Sequence, residues 1–158
     1  MKEEVGRQLG AVLEKYNIRD TKRFFSEINR KAQEGLEVIT YDGLRPNQGE
    51  VSHIKTEVLD KIVSAFEFHP EWTLDEELSV WTVSLPELPG YGEGEDRKEA
   101  AEDLIDGLLE YVEAYYGNLQ WFLNREETAS DLRYLRQIAR CEGDRARIAR
   151  LVGLPDAD

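Results

Sequence analysis

Residues 78–118, LSVWTVSLPELPGYGEGEDRKEAAEDLIDGLLEYVEAYYGN, narrow the choice of fold more than any other part of the chain, because strand, turn, cap and helix signals follow one another there without a gap. Val80 to Leu85 alternate: Trp81, Val83 and Leu85 share one side and Val80, Thr82 and Ser84 the other, the two-residue period of a half-buried strand. Pro86-Glu87-Leu88-Pro89-Gly90 then joins two residues of fixed φ to one free to take positive φ, so the chain must leave the sheet and bend. Tyr91 to Glu95 reads as a short strand kept flexible by Gly92 and Gly94. Asp96 carries the side chain of an N-cap, and Glu99 sits where it completes a capping box. In the helix that follows, Ala101, Leu104, Ile105, Leu108, Val112, Tyr115 and Tyr116 recur at three and four, and Gly117-Asn118 supplies a helix end.

This succession resembles the core of HicB-type antitoxins, whose members read W-x-V-x-x-P-E-L-P-G before a G-D-x-x-E-A helix start. The matching residues are Trp81, Val83, Pro86-Glu87-Leu88-Pro89-Gly90 and Glu95-Asp96-Arg97-Lys98-Glu99-Ala100, and the resemblance covers residues 62–118. It implies a degenerate RNase-H-like α+β unit that binds a toxin rather than catalysing a reaction.

The chain has 158 residues and 41% hydrophobic content, enough for one domain or two small ones with a real core. A single cysteine, Cys141, excludes an internal disulfide, and no apolar run approaches the ~20 residues that span a bilayer. The first fifteen residues lack the continuous apolar region of a secretory signal, so a cytoplasmic location is expected. Net charge is −13 and is unevenly placed. Residues 1–50 hold nine basic and nine acidic residues and residues 119–158 seven of each, whereas residues 51–118 hold four against seventeen. Such a field repels nucleic acid and membranes and speeds encounter with basic proteins, although a solvated face kept acidic for solubility has the same composition.

Toward the N-terminus, Val5, Leu9, Val12, Leu13 and Tyr16 predict an amphipathic helix over Lys2 to Tyr16, closed by Asn17. Asp20 or Thr21 caps a second helix with Phe24, Phe25, Ile28 and Ala32 as its stripe and Gly35 at its end. Leu36 to Tyr41 read as a strand, Asp42-Gly43 as a hairpin signal, and Val51 to Ile54 as the return. Arg23, Phe25-Ser26-Glu27-Ile28, Ala32, Gly35, Val38 and Asp42-Gly43 resemble the N-terminal half of Phd/YefM-type antitoxins. That resemblance implies a small dimerising sheet whose helices bind operator DNA through basic residues such as Arg19, Lys22 and Arg23. The balanced charge of the first fifty residues lacks a broad basic face for phosphate, and a solvated helix start accounts for the same three residues.

Glu57 to Val63 suit a short helix or a lead-in; Phe66 and Phe68 alternate with Glu67 and His69 as a strand stopped by Pro70; Trp72 and Leu74 extend to a hairpin tip at Asp75-Glu76-Glu77. After Gly117, Leu119 to Leu123 form an apolar cluster on a connector. Leu132, Leu135, Ile138 and Ala139 mark one terminal helix, and Ile148, Leu151 and Val152 another ended by Gly153 and Pro155. The expected architecture is therefore α+β: a small antiparallel sheet covered by a helix, with flanking N-terminal helices and a C-terminal helical pair. The expected segments are 1–55, 56–118 and 119–158.

Chemistry is sparse. His53 and His69 belong to no nucleophile motif, and successive acids in Asp75-Glu76-Glu77 alternate between strand faces and so converge poorly on a metal ion. No catalytic residue, metal ligand or cofactor is assigned. The leading expectation is an antitoxin that binds a basic ribonuclease-type toxin, with Tyr91, Glu93, Glu95, Glu99, Glu102, Asp103 and Asp106, and beyond them Glu110 and Glu113, as the docking face. Two alternatives stay open: a DNA-binding autoregulator acting through the N-terminal segment, and a structural or ligand-binding domain with no toxin. A homodimer through an unpaired sheet edge is expected, and no membrane contact.

Overall fold

A computed structural model describes residues 13–155, and the chain divides into two compact units, Met1–Ile62 and Val63–Asp158.

The first unit opens with strand β1 (Glu14–Asn17), helix α1 (Ile18–Gln33) and strand β2 (Val38–Tyr41), followed by a short 3-10 turn over Pro46–Gln48 and strand β3 (Glu50–His53). β2 is central, parallel to β1 and antiparallel to β3. A parallel pair needs a crossover, and α1 provides it. The predicted helix over Lys2 to Tyr16 is corrected where it can be compared: Glu14 to Asn17 are a strand, and residues 2–12 lie outside the described residues. Its spacing was helical, but Tyr16 packs its ring on Phe24, 6.1 Å away, and joins Ile28 and Val38 in the core, contacts that local periodicity does not see. Asn17 begins a helix rather than ending one. Its extended backbone (φ −68°, ψ 139°) and its side chain, which accepts from Arg19 N–H at 3.3 Å, start α1 ahead of Asp20 and Thr21. Gly35, at φ 98°, closes α1, with Leu36 N–H donating to Lys31 O. The Asp42-Gly43 turn does lead to the return strand: Val38 pairs with His53 and Tyr41 with Glu50.

Helix α2 (Thr56–Val63) leads to an antiparallel meander of β4 (Glu71–Asp75), β5 (Val80–Ser84) and β6 (Tyr91–Gly94). α3 (Arg97–Gly117) packs on β6 and β5. Four short helices follow: α4 (Leu119–Leu123), α5 (Glu126–Ala129), α6 (Leu132–Ala139) and α7 (Arg145–Val152). Val83, Leu85 and Leu88 from the sheet side, Leu104, Ile105 and Leu108 from α3, and Leu135, Ile138, Ile148 and Val152 from the last helices form one buried cluster. The terminal helices thus fold back on the helix that covers the sheet, whose other face is left polar, an arrangement open to antiparallel sheets.

The expected strand at Phe66 and Phe68 does not form. Phe66 N–H closes a turn onto Val63 O, and the two rings meet Tyr134 of α6 edge-on at 6.0 and 5.3 Å. Alternation put both rings on one side correctly, but their partner, Tyr134, is on a helix far along the sequence and not on a neighbouring strand. The strand starts instead at Glu71, just after Pro70, a position where a missing N–H costs no ladder bond. The Leu119–Leu123 connector is itself helical; Phe122 stacks on Tyr115 at 4.6 Å while Trp121 stays half exposed.

Candidate functional site

The acidic face is built where β6 meets α3. Gly92 and Gly94 face the helix, and a Cβ on Gly92 would overlap the Ala100 carbonyl oxygen and the Leu104 amide nitrogen. Their role is close approach rather than flexibility. With the glycines turned inward, alternation turns Tyr91 and Glu93 outward, and Tyr91 is 61% exposed.

Asp96 holds the helix start in extended backbone, its Oδ1 accepting from Glu99 N–H at 2.8 Å. The reciprocal bond of a capping box lands one residue early: Glu99 Oε2 accepts from the N–H of Glu95, at 2.9 Å, not of Asp96. One turn on, Asp103 Oδ2 accepts from Glu93 N–H at 2.9 Å. Glu99 and Asp103 therefore each give one oxygen to the outer edge of β6. Further along α3, Asp106 Oδ1 meets Arg145 Nη1 of α7 at 2.6 Å, and Arg145 Nη2 donates to the Glu102 carbonyl at 3.1 Å. Glu99, Asp103, Asp106, Glu110 and Glu113 recur at four and three along the exposed side of α3, with Glu102 half-buried beside them.

The fold thus brings Tyr91, Glu93, Glu95, Glu99, Glu102, Asp103 and Asp106 into one neighbourhood. Arg145 is the guanidinium bound within it, through Asp106, whereas Arg97, at the start of α3, is turned elsewhere: it lies 4.3 Å from the Trp72 ring and 5.5 Å from the Trp81 ring, over a T-shaped pair. Neither that stacking nor the Arg145 clasp was read from the sequence. Each joins residues distant in the chain, and no local pattern announces them.

In the first unit, Arg19, Lys22 and Arg23 occupy the first turns of α1, all exposed and at the spacing of one helix face. Arg23 lies 5.3 Å from the Phe24 ring. Lower on α1, Lys31 Nζ donates to Tyr16 Oη at 2.8 Å and pairs with Glu14 at 2.5 Å and Glu27 at 2.9 Å. Burial works against the charge of Lys31, yet these bonds outweigh it and raise its pKa.

Elsewhere most of the named polar groups are tied into structure, although Glu87 Oε2 is buried without a hydrogen-bond partner. His53 Nε2 lies 3.2 Å from Thr40 Oγ1 of the neighbouring strand, and His69 Nδ1 lies 2.6 Å from Glu87 Oε1 in the Pro-Glu-Leu-Pro-Gly turn. Tyr111 Oη donates to buried Asp131 Oδ2 at 2.7 Å, and Tyr115 Oη to Thr128 O at 2.8 Å. Burial raises the pKa of both phenols, and of the Cys141 thiol, against the pull of Arg147. A buried thiol with a raised pKa is a poor nucleophile. No group of three or more His, Cys, Asp or Glu able to hold a metal occurs among the described residues, nor any helix long and apolar enough to cross a membrane.

A protein-family model described as "PHD_like: Antitoxin of toxin-antitoxin, RelE / RelB, TA system" matches residues 12–153, nearly the whole described chain. The chain belongs to this antitoxin family. The antitoxin also shares its fold with a crystal structure described as the antitoxin part of a toxin/antitoxin system from Syntrophomonas wolfei subsp. wolfei. The two superpose with a TM-score of 0.66 at 14% identity, over 80% of this chain and 87% of that one. No curated protein sequence matches the antitoxin. Membership in an antitoxin family agrees with both sequence resemblances in class, and gives the protein a toxin as partner and a regulatory role.

Proposed function

We propose that the antitoxin holds a basic, ribonuclease-type toxin against the acidic surface of β6 and α3, with Tyr91, Glu93 and Glu95 from the strand and Glu99, Glu102, Asp103 and Asp106 from the helix as its contacts. The observation that carries this reading is the gathering of these side chains on one exposed neighbourhood of residues 51–118, the most acidic segment of the chain. An array of carboxylates offers a nuclease the charge of its RNA substrate, and the summed field steers a cationic partner into contact. Tyr91 supplies an aromatic anchor within that ring of charge. The reading takes the meander and its covering helix as the toxin-binding unit that the HicB resemblance implies, and the setting proposed is the cytoplasm.

The test is capture of the product of the adjacent reading frame by tagged antitoxin, at increasing salt. Glu93→Lys with Glu95→Lys should slow association by about tenfold or more at low salt, with less effect at high salt. Unchanged association in the double variant would remove the acidic surface from the reading.

A second reading has its own observation, the three cations on one exposed face at the start of α1. In it a homodimer sets two such faces against successive grooves of operator DNA. Gel shifts with the antitoxin's own promoter at ~0.15 M salt should weaken in Lys22→Ala plus Arg23→Ala, with the salt slope reduced by roughly two. Identical slopes for the two proteins would discard it.

A further inference from the structure

The two edges of the β4–β5–β6 sheet end differently. On the β6 side, Glu93 and Glu95 give their outward N–H groups to Asp103 and Glu99, and α3 lies against the strand. On the β4 side, no backbone bond beyond those to β5 is made by Glu71 to Asp75 among the described residues, and Leu74 is 45% exposed. The register says which groups are free. Glu93 N–H turns away from β5, so Thr82 and Glu93 form a non-hydrogen-bonded pair, and Thr82 bonds instead to Thr73. Trp72 and Leu74 therefore present their N–H and C=O groups to the open edge. An edge of this kind is a template for a further strand.

A second copy is a poor occupant. In an antiparallel twofold pair, the residue at the centre faces its own copy, and flanking residues face each other in order. Centred on Thr73, β4 sets Glu71 opposite Asp75 twice; centred on Leu74, it sets Glu71 opposite Glu77. Centred on Glu71 or Asp75, it faces each acid with itself. The Trp72-centred register escapes like charge but puts Pro70, which has no N–H, opposite Leu74. A basic strand meets none of these penalties. We infer that the β4 edge accepts an extended segment of a basic protein, with cationic side chains four residues apart facing Glu71 and Asp75 and a β-branched residue facing Thr73. That the segment belongs to the toxin rests on the reading above; the edge and its charge preference do not.

The experiment uses the full chain and a disulfide-closed hairpin peptide whose outer strand reads Lys-Val-Thr-Val-Arg, followed by fluorescence anisotropy and amide exchange. Saturable binding is expected, with slowed exchange at Trp72 and Leu74, and a loss of about tenfold when the peptide's Lys and Arg are replaced by Glu. Leu74→Pro should abolish binding, and Glu71→Lys with Asp75→Lys should reverse the preference toward the acidic peptide, a readout that holds even if the proline variant misfolds. Absent binding, binding indifferent to both charge reversals, or exchange at Trp72 and Leu74 that slows with antitoxin concentration in the absence of peptide would overturn the inference. Capture of a basic toxin that leaves these two amides exchanging freely sinks only the edge; peptide binding without capture of any basic protein sinks only the toxin reading.

Discussion

Gly92 and Gly107 make opposite demands although both lie in the strand-and-helix unit. At Gly92 a methyl group has nowhere to go, because the Ala100 carbonyl and the Leu104 amide are backbone and cannot swing aside. Gly92→Ala should cost roughly 3 kcal/mol, read as a lowered urea midpoint. At Gly107, in the middle of α3, an added Cβ meets nothing within 4 Å. Gly107→Ala should raise stability by about 0.5–1 kcal/mol, since the helix no longer orders the most flexible residue. Tyr111 is a third such position: Tyr111→Phe leaves a buried oxygen of Asp131 without its donor, at about 1–3 kcal/mol.

Between elements, some of the hydrogen bonds that join elements within each unit involve titrating groups. Lys31 ties α1 to β1 through Glu14 and Tyr16, and Tyr111 and Tyr115 tie α3 to the α5 segment and Asp131. All three side chains have folded-state pKa values above their ordinary 10.5 and 10.0. The native state then keeps protons that the unfolded chain releases, so stability is fully present below about pH 10 and falls as pH rises beyond it. Denaturation midpoints at pH 8, 10 and 11 should stay level and then drop, and the drop should be smaller in Lys31→Met and in Tyr111→Phe. An unchanged decline in both variants would assign the alkaline loss to other groups. The helix pair α6 and α7 was legible from its apolar stripes, and so was α3 with its cap. β1 and the Phe66–Phe68 turn were not, because a strand's parallel neighbour and a ring's helical partner lie outside any local window.

For the molecule as a whole, the charge of −13 matters through where it sits. The carboxylates between β4 and the end of α3 are mostly exposed, and under the proposed function their field acts on encounter with a basic toxin more than on the fold. Association with a basic partner should accordingly slow by tenfold or more between ~0.05 and ~0.5 M salt, with a much smaller change in dissociation, as stopped-flow measurements can separate. Local chemistry in the chain was enough for the order of turn, cap and helix from Leu85 to Gly117 and for the antitoxin class, since each depends on residues a few positions apart. Folding in three dimensions settled which side chains serve the fold itself: Glu99 and Asp103 as edge partners of β6, Arg145 as the clasp on Asp106 and Arg97 as the cover of two tryptophans; it also left β4 as an edge with no further strand among the described residues. Those assignments depend on distances across the chain, where hydrogen bonds and packing are decided by what the backbone brings together and not by sequence spacing.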